Sequence, residues 1–167
     1  FLAYGDLLDR YPEHRGRVVF VAGAYPSREG VPAYAAYRAA VEKAVAEINE
    51  RFGTPDWTPI VLHVDDDFPR SVAILRRADV LLVNPIRDGL NLVATEGALV
   101  SDRDAVLALS PAAGAWERLH PAALRVPPFD VSGTADVLHR ALTMPRPERV
   151  ARHAELRRIA EARTPRH

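Results

Sequence analysis

The run Val80-Leu81-Leu82-Val83 constrains this chain most, because no polar residue interrupts it and Pro85 follows closely. A strand wetted on one face alternates apolar and polar side chains. An unbroken apolar run of this length suits a parallel strand covered on both faces. Pro85 cannot continue a ladder, and Asp88-Gly89 is a turn-forming pair whose glycine is free to take a backbone shape that other residues resist. From Leu90 the spacing becomes helical, with Leu92, Glu96 and Leu99 a turn apart. A strand, a glycine turn and a helix N-terminus in succession make an anion site, since the first N–H groups of a helix have no intrahelical acceptor and point outward along its dipole.

The same alternation extends in both directions. Leu2, Leu7, Leu8 and Tyr11 can share one face of an opening helix, ended by the segment Pro12 to Gly16. Val18 to Ala22 reads as a strand, and a long helix is expected from Pro32 to Phe52, where Tyr34, Tyr37, Val41, Val45, Ile48 and Phe52 step by three or four. Thr58 to Val64 reads as the next strand, followed by Asp65-Asp66-Asp67 and a helix over Arg70 to Arg77. Strands over Ala105–Leu109 and Leu124–Val126 and helices over Gly114–Leu119, Thr134–Leu142 and Arg146–Ala162 complete the pattern. The expected class is therefore α/β, a Rossmann-like parallel sheet with helices on both faces. In such sheets ligands bind beyond the carboxyl ends of the strands, which nominates the segments after Ala22, His63, Val83 and Leu109.

Charge narrows the partners. The 22 basic residues balance the 22 acidic ones, so no broad surface field invites nucleic acid or membrane, and recognition must come from a local site. With no cysteine there is neither thiolate chemistry nor a disulfide, which fits a cytoplasmic protein. No HExxH or Ser-His-Asp arrangement stands out.

The wording around Asp88 carries a family resemblance. PIRDGLNLVATEG resembles the PLRDGMNLVAKE motif of the trehalose-6-phosphate synthase family, retaining glycosyltransferases built from two Rossmann-like domains (the GT-B type). PSREGVPAY at Pro26–Tyr34, INERFGTPDWTPI at Ile48–Ile60, LRRADV at Leu75–Val80 and FDVSGTADVLHRALTMP at Phe129–Pro145 are similar to further family segments in the same order. The resemblance covers nearly the whole chain and implies the C-terminal, donor-binding half of such an enzyme. Residues 1–145 would be the nucleotide-sugar-binding domain and 146–167 a C-terminal helix and tail. The family's preceding strand and its R-x-D-x-x-K-G-like turn are expected upstream of Phe1, as is the missing N-terminal domain that binds the acceptor. By itself the chain is expected to be inactive.

Residue by residue, the resemblance implies that Glu96 holds the ribose hydroxyls of the donor. A carboxylate suits that task because it accepts two hydrogen bonds from a diol; its plain alternative is a solvated helix glutamate. Asp88 is the candidate catalytic residue, reaching the hydroxyls of the transferred sugar, with a turn-forming role as the alternative. Gly89, Leu90, Asn91, Leu92 and Val93 would meet the diphosphate or the sugar through backbone N–H groups. Gly23 and Phe68 stand where family members line the nucleobase, their alternatives being a loop glycine and a core aromatic. The helix dipole contributes roughly 0.3–1 kcal/mol to an exposed anion, too little for a diphosphate, so weak binding is expected without the family's upstream Arg and Lys. Arg87 is not aimed to replace them.

The acidic run Asp65-Asp66-Asp67 suggests the DxD metal motif of another glycosyltransferase fold, but a solvated loop is the simpler reading, and the resemblance is to a metal-independent family. No cofactor and no metal are expected. His63 ends a strand on the ligand side and reads as structural. Ser110 to Ala115 (SPAAGA) is similar to the family's SEFAGAA, with proline and alanine in place of a polar and an aromatic residue, and Thr95 stands where the motif has lysine.

The resulting expectation is a hexosyltransferase moving glucose from a nucleoside diphosphate glucose to glucose 6-phosphate, with small-molecule substrates as its partners. Whether it forms a homo-oligomer stays open. Two alternatives remain. One is a pseudo-glycosyltransferase joining a nucleotide-linked cyclitol to an amino-cyclitol phosphate, as in validamycin-type biosynthesis. The other is a non-catalytic nucleotide-binding module.

Overall fold

A computed structural model describes residues 1–24 and 32–162. They fall into two compact units that divide between Ser71 and Val72. Most of the Pro26–Tyr34 motif, and the basic end Arg163–His167, lie outside the described residues.

In the first unit α1 (Leu2–Arg10) buries Tyr4, Leu7 and Leu8, positions three and four apart that share one helix face. Tyr11 ends it and a short 3-10 turn spans Pro12–His14. Two strands, β1 (Phe20–Ala24) and β2 (Ile60–Val64), pair in parallel from Phe20 opposite Ile60 to Ala24 opposite Val64. The first strand begins later than the apolar run from Val18 suggests. The Val18 carbonyl is already taken by the Tyr4 hydroxyl at 2.8 Å and the Trp57 indole N–H at 2.9 Å, so it is a side-chain anchor and not a rung of the ladder. Between the strands runs α2 (Pro32–Phe52), with Val45 and Ile48 buried. Asn49 on its last turns grips the start of β2, accepting from Ile60 N at 2.8 Å and donating to Ile60 O at 2.9 Å. A third helix, α3 (Phe68–Arg77), begins in this unit and continues past the division at Ser71; it starts before Arg70 because the Asp67 carboxylate accepts the Arg70 N–H at 2.9 Å and caps the first turn.

The second unit holds three parallel strands in the order β3 (Val80–Val83), β4 (Val106–Leu109), β5 (Leu124–Arg125). Between β3 and β4 lies α4 (Leu92–Val100), and between β4 and β5 lies α5 (Trp116–Leu119). Two helices follow, α6 (Val131–Leu142) and α7 (Arg146–Glu161). Strand alternation sorts the core. Val83, Leu107 and Leu109 pack with Ala94 and Ala98 of α4, Leu119 of α5, and Leu156 and Ala160 of α7. Val106 and Leu124 face the other way, against Ala141 and Met144, with Val80 and Val137. Helices thus cover both faces of this sheet, which explains why β3 and β4 carry no polar side chain. On α4 the buried positions are Ala94, Gly97 and Ala98, and a Cβ at Gly97 would run into the Leu81 side chain. Small residues therefore bring α4 down onto β3, which fixes where its N-terminus stands. Among the described residues no helix is long and apolar enough to cross a membrane.

Candidate functional site

The site is the passage from β3 into α4. The chain leaves Val83 through Asn84 and Pro85 and rejoins its neighbour at Asp88: the Asp88 N–H donates to Ala112 O at 3.1 Å, and the Gly114 N–H donates to Asp88 O at 2.9 Å. This single parallel bridge, Asp88 opposite Ala113, ties the loop after β3 to the loop after β4. The second loop is itself braced. Ser110 is fully buried, its N–H donates to Val83 O at 2.8 Å, and its hydroxyl accepts the Ala112 N–H at 3.1 Å.

The expectation of a special backbone shape at Gly89 is corrected. Gly89 is not in the left-handed region, and nothing crowds its Cα. Asn91 takes that conformation instead, at φ 52 and ψ 79, and α4 begins at Leu92 and not at Leu90. Asparagine tolerates the left-handed region because its side chain bonds locally. Here its oxygen accepts the Ala94 N–H at 3.2 Å as the N-cap, and its amide donates to Asp88 Oδ2 at 2.8 Å. Asp88 completes the knot by accepting the Leu90 N–H on Oδ1 at 3.2 Å. The Asn91 amide first, and the Leu90 N–H second, hold the Asp88 carboxyl below its usual value of 3.8. Asp88 is thus both a turn former and an ionised group. Each of its oxygens keeps a lone-pair direction with which a sugar hydroxyl can bond.

Beyond the cap, the Leu92 and Val93 N–H groups find no hydrogen-bond partner among the described residues. The side chains of Leu90, Leu92 and Val93 are exposed. Glu96 is exposed too, one turn beyond Leu92 and on the same face, opposite the buried Ala94, Gly97 and Ala98. The arrangement can therefore take an anion at its open amides and a vicinal diol at a carboxylate one turn further along. Thr95, where the family motif has lysine, has its hydroxyl buried without a hydrogen-bond partner.

Asp88, Gly89, Leu90, Asn91, Leu92, Val93 and Glu96 are thus one continuous surface of the second unit. Gly23 and Phe68 belong to the first. Gly23 pairs with His63 across β1 and β2, with open space at its Cα. Phe68 opens α3 and is 73% exposed, so it is not a core aromatic. In the acidic loop, Asp65 and Asp67 both pair with the Arg70 guanidinium, Asp67 at 3.1 Å.

One residue escaped sequence reasoning. A Cβ at Gly114 would lie 2.6 Å from the Gly89 carbonyl carbon and 3.1 Å from Leu90 N, and closer still to the Gly89 oxygen. Only glycine permits that approach. The one signal for it was the match of SPAAGA to the family's SEFAGAA, which spares this glycine.

Known proteins resemble this chain along nearly its whole length. Residues 1–167 match the model of glycosyltransferase family 20. A trehalose-6-phosphate synthase from Salmonella arizonae is 44% identical over 160 residues, covering 93% of this chain and 33% of that protein. An E. coli structure bound with UDP-2-fluoro glucose superposes with a TM-score of 0.90 at 41% identity, covering 96% of this chain and 36% of its own. A UDP-forming α,α-trehalose-phosphate synthase from Burkholderia xenovorans in complex with glucose-6-phosphate gives 0.87 at 40% identity, covering 95% and 36%. The chain spans about a third of the length of these relatives. Matched along its whole length by the family's model, the chain belongs to glycosyltransferase family 20.

Proposed function

We propose that this chain is the donor-binding part of a retaining glycosyltransferase that moves glucose from UDP-glucose to glucose 6-phosphate, forming trehalose 6-phosphate. The observation that carries this reading is the pair of open amides at Leu92 and Val93, with the exposed Glu96 one turn away on the same face. The diphosphate sits at the amides and the ribose diol on Glu96. Asp88, kept ionised by Asn91 and Leu90, orients the glucose hydroxyls. As the diphosphate departs, negative charge grows on it, and the N-terminus of α4 stabilises that charge where it develops. The leaving phosphate can itself take the proton of the acceptor hydroxyl, so no protein nucleophile is required.

The dipole of one helix contributes only about 0.3–1 kcal/mol to an exposed anion. The remaining affinity for the diphosphate, and the glucose 6-phosphate site, belong to the part of the relatives' length that this chain does not span. Residues 1–145 form the nucleotide-sugar domain in this reading, with 146–167 as its helix and tail, and Gly23 and Phe68 line the nucleobase. A cytoplasmic reaction belongs to this reading, since both of its substrates carry phosphate charges that do not cross an apolar membrane unaided.

Calorimetry of UDP binding to the full-length enzyme tests the site. Hydrogen bonds to a charged group are worth about 1.5–3 kcal/mol, so Glu96→Ala should weaken UDP roughly 10- to 150-fold. The same substitution should weaken 2′-deoxy-UDP less than UDP, because that nucleotide keeps only its 3′-hydroxyl for Glu96 to accept from. Unchanged UDP binding by Glu96→Ala would remove the ribose assignment.

A further inference from the structure

We infer that Gly114 is a positioning residue of the donor site: it admits the Gly89–Leu90 peptide against the loop after β4 and so sets the direction in which the Leu90 N–H points. The argument begins with the bridge. Asp88 is held on both sides, through its N–H to Ala112 and its carbonyl to Gly114. The next peptide, from Gly89 to Leu90, then passes directly over the Gly114 Cα, where a Cβ would overlap the Gly89 carbonyl group and press on Leu90 N. In a planar trans peptide the C=O and N–H point in opposite directions. With the Gly89 oxygen turned toward Gly114, the Leu90 N–H is turned away from it, where Asp88 Oδ1 receives it. That carboxylate also receives the Asn91 amide, whose oxygen caps α4. The chain of contacts thus runs from Gly114 through the Gly89–Leu90 peptide to Asp88, Asn91 and the open amides.

The obstacle is backbone and cannot be relieved by a rotamer. A methyl group at residue 114 forces either the bridge to open or the Gly89–Leu90 peptide to turn, and each moves Asp88 and Leu90 relative to a bound donor. Gly89 itself has open space around it and no left-handed φ, so the requirement for glycine falls on 114, in a segment that need not touch the ligand at all.

This inference rests on the donor reading, and the experiment separates the two. In the full-length enzyme, Gly114→Ala is expected to raise the KM for UDP-glucose at least about tenfold while leaving the KM for glucose 6-phosphate within about twofold, since misplacement of positioning groups by even an ångström is costly. A purely structural role would lower the fraction of active protein and leave both KM values unchanged, and that result overturns the inference. Should Gly114→Ala not fold, hydrogen exchange of the wild-type enzyme decides. UDP-glucose must slow exchange in residues 110–116 together with 86–92, and protection of 86–92 alone overturns the inference. A wild-type enzyme that binds no UDP-glucose overturns the donor reading and this inference with it. A wild type that binds it, beside a Gly114→Ala variant with the same donor KM, overturns this inference alone.

Discussion

Asn91 has two separable jobs, and a pair of substitutions pulls them apart. Its side chain caps α4 at Ala94 and donates to Asp88, while its backbone sits at φ 52 and ψ 79. In Asn91→Ala the cap is lost, about 1 kcal/mol. The bond to Asp88 is lost in any replacement that lacks the amide. Alanine must also occupy a left-handed conformation without the local bonds that make asparagine tolerable there, which adds about 1 kcal/mol. The sum is about 2 kcal/mol. Asn91→Gly loses the same side-chain bonds, but glycine is a fair N-cap and has no left-handed penalty, so about 0.5 kcal/mol is expected. Glycine should therefore be the more stable replacement by about 1.5 kcal/mol, the reverse of the order inside a helix, where alanine leads by about 1 kcal/mol. Thermal unfolding of the 167-residue chain reads this directly: at about 2–4 °C per kcal/mol for a chain of this size, alanine lowers Tm by roughly 4–8 °C and glycine by roughly 1–2 °C. If alanine is as stable as glycine, the backbone at residue 91 carries no left-handed strain, and this description of the loop is wrong.

Much of the fold was legible because the relevant signals are local. An unbroken apolar run placed β3 at Val80–Val83, and a helical period placed α2 at Pro32–Phe52, both as observed. The candidate site rests on its wording, since Asp88 through Glu96 resemble a family motif, whereas spacing alone leaves Glu96 a solvated glutamate. What stayed hidden depends on partners far away in sequence. The apolar character of Val18 could not reveal that Tyr4 and Trp57 would claim its carbonyl and delay β1 to Phe20. An Asp-Gly pair signals a turn but not which residue takes the unusual φ. That choice fell to Asn91, because its oxygen can cap α4 and its amide can reach Asp88. The need for glycine fell to residue 114, because only the bridge between the two loops brings Gly89 against it. Phe68 shows the converse limit: its apolar side chain fits a core or a ligand equally well, and only its exposure at the start of α3 removes the first.

Two further substitutions test the energetics on either side of the Ser71–Val72 division. Tyr4→Phe keeps the buried ring and removes only the hydroxyl that donates to Val18 O, an acceptor that retains the Trp57 N–H. The loss should be about 0.5–1.5 kcal/mol by urea unfolding, and a loss twice that size would mean the Trp57 bond does not survive alone. The acid behaviour of Asp88 follows from its neighbours. The Asn91 amide and the Leu90 N–H both prefer the carboxylate, so the folded pKa lies below the ordinary 3.8 that the unfolded chain retains. The unfolded state then binds the proton more readily, and acidification through this range favours unfolding. The stabilisation is fully present above 3.8 and is lost as pH falls through the lower, folded value. Comparing wild type with Asp88→Asn in urea from about pH 3 to pH 8 isolates this term, because the amide does not titrate. The difference between the two should be level from about pH 5 upward and should shrink on the acid side. A difference that grows as the solution is made acid, or that changes between about pH 6 and pH 8, would show that Asp88 is not the ionised centre of the loop.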